Sequence, residues 1–322
     1  FWQAIHEGLR KGGAHLYPAM PYPWYTKVTR ADSDALYTYL KTVPPADATP
    51  PANELLPPLQ IRESVAGWNL LFFTAEPFKS DPQKSPAWNR GAYLVEGLGH
   101  CGACHTPANV LGAPESGRAL QGHAIDHWWA PNLANSGGKA WSADDIVRFL
   151  KTGRNSHAMA GGSMAEVVEN STQHMTDTDL AAIAAYLASP RESGKAAATP
   201  SVRQASTEVM ASGKAIYAVA CSACHAADGS GVKGMIPALA RNGVVTAPNP
   251  VGVLHVILAG GQGNVTQTAP SRVAMPPFDW KLSDDEVAAV ASYVRASWGN
   301  TASRVSEDAA ADLRDALATP IP

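Results

Sequence analysis

Apolar residues recur three and four positions apart in several short runs, and each run opens with a hydroxyl side chain followed by acids. Leu180, Ile183 and Leu187 follow Thr176-Asp177-Thr178-Asp179, and Val287, Val290 and Val294 follow Ser283-Asp284-Asp285-Glu286. That spacing predicts amphipathic helices, and the opening residues are helix starts. Thr29-Arg30-Ala31-Asp32 opens a third, with the last two starts in capping-box spacing. Each of these helices closes a repeated plan of helix, glycine, Met-containing loop and capped helix. The plan runs from FWQAIHEG past Met20 to TRADSDALYTYL, from WSADDIVRFLKTG past Met164 to TDTDLAAIAAYL, and from VGVLHVILAGG past Met275 to LSDDEVAAVASYV. No segment alternates convincingly as a strand does, so the pattern predicts an all-α protein of tandem domains with loop-rich connections.

The breaks between units follow from composition. Residues 1–43 form the first unit. Pro44 to Pro58 is proline-rich and reads as a semi-rigid linker, leading through a short amphipathic connector helix within 61–76, so that 44–86 lies between domains. A second domain is expected over 87–190, a linker over 191–206, a third domain over 207–299, and a surface-helix tail over 300–322. The 322 residues carry 45% hydrophobic and 16% charged residues, a globular composition, and a net charge of -3 gives no reason to expect nucleic acid. No run approaches the roughly 18 apolar residues of a membrane span. The richest apolar patch, Trp68-Asn69-Leu70-Leu71-Phe72-Phe73, is short and suggests a partner or membrane-surface contact. The chain opens without a signal peptide, so a mature or truncated start is expected.

All four cysteines fall in two Cys-x-x-Cys pairs, each followed directly by histidine: Cys101, Cys104 and His105, then Cys221, Cys224 and His225. This is the attachment signal of c-type haem. Two thiols on neighbouring turns can add to the two vinyl groups of one porphyrin edge, and the next residue then lies under the iron. Covalent attachment prevents haem loss and suits an extracytoplasmic protein. A four-thiolate zinc site is the competing reading, but its pairs stand about 12 to 20 residues apart, and it leaves both histidines unexplained. A thioredoxin-like motif needs a strand–helix context and no histidine.

The sixth iron ligand is read from the repeat. Met20 in YPAMPYPWY and Met275 in RVAMPPFDW share a Met-Pro step before the capped helix, and a soft thioether raises the reduction potential where a second His lowers it. In the second domain Met164 and Met159 both remain candidates. Met175 and Met235 read as core filling. The other histidines, His6, His15, His123, His127, His157, His174 and His255, hold no repeated position and read as surface or satisfied polar residues, while His100 should sit near a haem edge without ligating. Pro131 in APNL and Pro237 in IPAL each follow an attachment motif and are candidates to present a carbonyl to the ring N–H of His105 and His225. The first unit has Met20 without cysteines, so a third site is expected whose attachment half lies before Phe1.

With these residues in view, the chain resembles the triheme cytochrome c subunits of membrane-bound alcohol, gluconate 2-, fructose and aldehyde dehydrogenases. The resemblance rests on LYPAMPYPWYTKV, GWNLLFF, RGAYLVEGLGHCGACHTP, WWAPNL, MAEVVENSTQHMTDTDLAAIAAYL and MPPFDWKLSDDEVAAVASYVRASWGN, spread over nearly the whole chain. It implies tandem class I cytochrome c domains with His/Met ligation and places the methionine ligands at Met20, Met164 and Met275. It further implies two haem c groups here and a third in the full-length protein. The implied role is a non-catalytic relay, taking electrons from a dehydrogenase catalytic subunit that carries flavin, pyrroloquinoline quinone or molybdopterin. The implied acceptor is ubiquinone or another respiratory carrier, at the periplasmic, outer face of the cytoplasmic membrane. A dihaem peroxidase with a displaceable sixth ligand and a free soluble carrier are the alternatives.

Overall fold

The hydroxyl-then-acid starts become helix caps in the computed structural model, which describes residues 1–49, 60–134, 141–189 and 201–319. The Thr29 hydroxyl accepts from Asp32 N–H at 3.2 Å and that of Thr176 from Asp179 N–H at 3.1 Å, while Ser283 N–H donates to the Glu286 carboxylate at 3.0 Å. Each bond occupies a group that a helix start otherwise leaves without a partner. Ser142 and Asp145, not singled out above, close a full reciprocal box, with Asp145 N–H donating to the Ser142 hydroxyl at 3.1 Å and Ser142 N–H to the Asp145 carboxylate at 3.3 Å.

The chain forms two units: Phe1–Ala103 with Ala108–Glu115, and Cys104–Pro107 with Ser116–Pro322. The first contains α1 (Trp2–Glu7), α2 (Tyr22–Tyr25), α3 (Arg30–Leu40), α4 (Ser64–Phe72) and α5 (Pro86–Tyr93), the last continuing as a π-helical turn over Leu94–Leu98. Its core gathers Tyr22, Trp68 and Ala113 with Leu16, Met20, Phe72 and Phe73. Trp68 Nε1–H donates to Leu111 O at 2.9 Å, and Tyr22 Oη–H to Asn69 Oδ1 at 2.5 Å, so the connector helix α4 is tied both to the 108–115 segment and to α2. Among its residues Leu70 and Leu71 are 86% and 71% exposed.

Helix α6 (Gly102–His105) carries the first attachment turn, and the boundary between units falls within it. In the second unit a 3-10 turn over Ser116–Arg118 leads to a hairpin of β1 (His123–Ile125) and β2 (Trp128–Ala130), followed by α7 (Ala143–Thr152), α8 (Ser163–Asn170) and α9 (Asp177–Ala188). Helices α10 (Thr207–Ala220), α11 (Ser222–His225) and α12 (Val251–Ala259) follow, then a ribbon of β3 (Gly261–Gln262) and β4 (Ala274–Met275), then α13 (Asp284–Ala296) and α14 (Glu307–Ala318). The anticipated stripes are the buried ones: Leu180, Ile183 and Leu187 on α9, and Val287, Val290 and Val294 on α13.

The helix-rich, all-α architecture agrees with expectation, and two ribbons are added to it. Their strands are two or three residues long, too short for alternation to register. The C-terminal segment is a helix as anticipated, yet α14 packs Ala310 and Leu313 into the third-domain core rather than lying on the surface. The proline-rich linker beyond residue 49 and the second linker up to residue 200 lie outside the described residues.

Candidate metal centres

Each cysteine motif occupies one tight helical turn. In the third domain α10 runs directly into Cys221, whose N–H bonds Tyr217 O at 3.0 Å, and His225 N–H returns to Cys221 O at 3.0 Å. The i to i+4 bond places the histidine one turn past the first thiol, as attachment to a single porphyrin edge requires. In the second domain the π-helical turn ends at Gly99, and Cys101 N–H bonds Val95 O at 3.1 Å. π-Bulges of this kind often mark functional sites. Cys101 is counted with the first unit, Cys104 and His105 with the second.

Burial at the two motifs favours neutral imidazoles, the form that can ligate a metal. His105 is only 9% exposed, and burial holds its imidazole below the ordinary pKa, opposed by the bond to Pro131. That bond is decisive for the tautomer: His105 Nδ1–H donates to Pro131 O at 2.8 Å, leaving Nε2 with its lone pair. Burial likewise lowers the pKa of His225. Two thiols move the other way, Cys104 upward through burial and then Asp126, and Cys221 to about 11 through burial. Among the described residues no three His, Cys, Asp or Glu side chains converge on a possible metal position, and none of the four cysteines is in a disulfide. The donor set therefore fits haem c, with thiols for thioether links and a neutral imidazole for the iron.

The two attachment motifs differ in what surrounds the histidine. His105 and Pro131 are brought together. His225 Nδ1 is buried without a hydrogen-bond partner, and Pro237 O instead faces the Gly231 backbone, where a Cβ would stand 2.7 Å away.

The methionines fall in three settings. Met20 lies in the loop before α2, its carbonyl accepting from Tyr22 N–H at 2.7 Å and its side chain against the Tyr22–Trp68 core. Met275 belongs to β4, paired with Gly261, and packs against the third-domain core. Met164 is the second residue of α8, a helix where the repeat suggested a loop. Met159 pairs its backbone with Arg154, and its Sδ lies so close to Gly263 of the third domain that a Cβ there would stand 2.7 Å away. His100 meets the Tyr25 ring edge-on at 5.2 Å, in the first unit. His255, read from the sequence only as a surface or satisfied polar residue, meets the Trp128 ring with centroids 3.9 Å apart and planes tilted by 32°. The WWAPNL string contains the tryptophan, but nothing local marks its partner more than a hundred residues away.

Comparison with known proteins places the chain among cytochromes. The family model described as Cytochrome c matches residues 210–298, and that described as Cytochrome C oxidase, cbb3-type, subunit III matches residues 86–187. The chain is 38% identical to the Gluconate 2-dehydrogenase cytochrome c subunit of Pantoea cypripedii, over 94% of this chain and 73% of that protein. It is 40% identical to the Alcohol dehydrogenase (quinone), cytochrome c subunit, of Gluconacetobacter polyoxogenes, over 94% and 69% respectively. Identity to the Fructose dehydrogenase cytochrome subunit of Gluconobacter japonicus is 38%, over 98% and 70%.

Proposed function

The chain belongs to the family of dehydrogenase cytochrome c subunits, and we propose that it relays electrons from a dehydrogenase catalytic subunit through haems at its two cysteine motifs to ubiquinone or another respiratory acceptor. As a member of that family it is an electron-transfer subunit, not the subunit that oxidises the substrate. The observation that carries the site assignment is the 2.8 Å bond from His105 Nδ1–H to Pro131 O, which presents Nε2 of a buried, neutral imidazole.

When bound, haem c supplies a one-electron iron couple. The chain's own residues do the rest. Cys101, Cys104, Cys221 and Cys224 would hold the haems covalently, and His105 and His225 would supply imidazole ligands to the iron. Met164 and Met275 supply soft thioethers that favour a higher potential. Met159 is less suited, because its sulfur is already packed on Gly263. Pro131 orients His105, and Pro237 is assigned the same duty toward His225 once that ring is turned onto an iron. Met20 ends the first repeat, and a third haem in the full-length protein follows from the repeated plan.

The quinone acceptor is supported by the relative whose name includes quinone. The partner would carry flavin, pyrroloquinoline quinone or molybdopterin. A place at the periplasmic surface of the cytoplasmic membrane is supported by covalent haem chemistry and by the exposed Leu70, Leu71 and Val110 of the first unit; no described helix is long and apolar enough to cross a membrane. Maturation of the chain in a host that attaches c-type haem tests the reading. Intact mass and a haem-stained denaturing gel should show two covalent haems, and Cys104→Ala with Cys101→Ala should leave one. Retention of zinc with no haem would overturn the assignment.

A further inference from the structure

The β1–β2 hairpin reaches further than Pro131. The Trp128 indole covers the Gly161–Gly162 step so closely that a Cβ on Gly162 would stand 2.7 Å from the indole Cε2. Gly162 holds φ 53° and ψ -144°, a backbone conformation open to glycine, and it caps α8, whose second residue is Met164. The direction in which that helix leaves its turn is thus set where the indole rests. The same indole lies against His255 of α12, with centroids 3.9 Å apart and ring planes tilted by 32°. His255 is itself held by Nδ1–H donating to His127 O at 3.1 Å. Beside it, Trp129 packs against Gly252 of α12, where a Cβ would stand 3.2 Å from the Trp129 Cβ.

We propose that Trp128 is a positioning residue for the sixth iron ligand of the second domain: it wedges the Gly161–Gly162 turn that starts the Met164 helix, with His255 of the third domain as its backstop. This rests on the reading of Met164 as the ligand. A neutral thioether is a soft, displaceable donor, so its bond to iron depends on how firmly the scaffold presents it. The four residues Trp128 to Pro131 would then support both residues assigned to the iron, Pro131 O through His105 and Trp128 through the α8 turn. Trp128 and its neighbour Trp129 both lean on α12 of the third domain, so docking of one cytochrome domain stabilises iron coordination in its neighbour.

The test uses the haem-loaded protein and reads the thioether-to-ferric-iron charge-transfer band together with imidazole binding to the ferric state. Trp128→Ala should remove one haem's share of the band and bind imidazole at that haem at least tenfold more tightly, with unchanged helix content and the other haem's share intact. Trp128→Phe, which keeps an aromatic wedge, should restore both readouts to within threefold of wild type. If Trp128→Ala does not accumulate, His255→Ala carries the same test, with imidazole binding at least threefold tighter. Met164→Leu should abolish one haem's share, and Met159→Leu none. A full band and wild-type imidazole affinity in Trp128→Ala, while Met164→Leu loses its share, would overturn the role of Trp128 alone. A full band in Met164→Leu would instead overturn the ligand assignment beneath it.

Discussion

Gly153 shows how a local signal and a distant contact converge on one residue. Its place after WSADDIVRFLKT marks it as a helix stop, and it does end α7 with φ 72°. A Cβ there would also stand 1.8 Å from Oδ1 of Asn264, a fully buried side chain whose Nδ2–H donates to Thr152 O at 2.9 Å. Gly153→Ala should therefore cost about 2 kcal/mol, more than the left-handed backbone alone, which is about 1. Pairing it with Asn264→Ala should cost less than the sum of the single changes, since the clash then has no partner. Urea denaturation of the four proteins measures this, and strict additivity would show the contact to be harmless. The helix stop was legible in the sequence; Asn264, more than a hundred positions on, was not.

At the scale of elements, the helices are held by charge placed at their ends and by one buried cation. The Ser142 hydroxyl holds the Asp145 carboxyl below its usual pKa, with lesser help from His157. A depressed folded-state pKa stabilises above the unfolded value of about 4 and loses that contribution as pH falls toward the folded value. Wild type should accordingly be more stable than Asp145→Asn at about pH 6, and the difference should shrink as acid is added below about pH 4. Thermal unfolding of both proteins over that range checks the sign, and a difference that grows in acid would contradict it. On α13, Arg295 is 1% exposed and spends its guanidinium on three carbonyls, Ser303 O at 2.9 Å, Val245 O at 2.8 Å and Ala247 O at 3.0 Å. Burial lowers its pKa to about 10, which leaves it charged at neutral pH. It ties the loop before α12 and the chain after α13 to one helix, a role that a lone Arg in an amphipathic pattern does not announce.

At the scale of the molecule, the larger part of the second domain, from Ser116 on, shares one unit with the third and is joined to it by polar bonds. Glu169 accepts from Val265 N–H at 2.6 Å and pairs with Arg272 at 3.2 Å, Arg154 donates to Ser271 O at 2.9 Å, and Asn242 donates to His157 O at 3.0 Å. The two domains should melt together in calorimetry, and Glu169→Ala should separate the loss of amide protection in α9 from that in α13. Two independent transitions in the wild type would contradict that coupling. The amino-acid order alone settles whatever lies within a turn or two of its cause: the Cys-x-x-Cys-His spacing, the capped helix starts, the buried stripes of α9 and α13, and the Met-Pro steps at Met20 and Met275. It could not separate the two proline loops, which read alike, yet the folded chain brings Pro131 O to His105 and turns Pro237 O toward Gly231. Nor could it show that Met159 is packed on Gly263 while Trp128 and His255 meet. Short-range spacing is imposed by backbone geometry, whereas these contacts join residues far apart in the chain and exist only when whole helices pack.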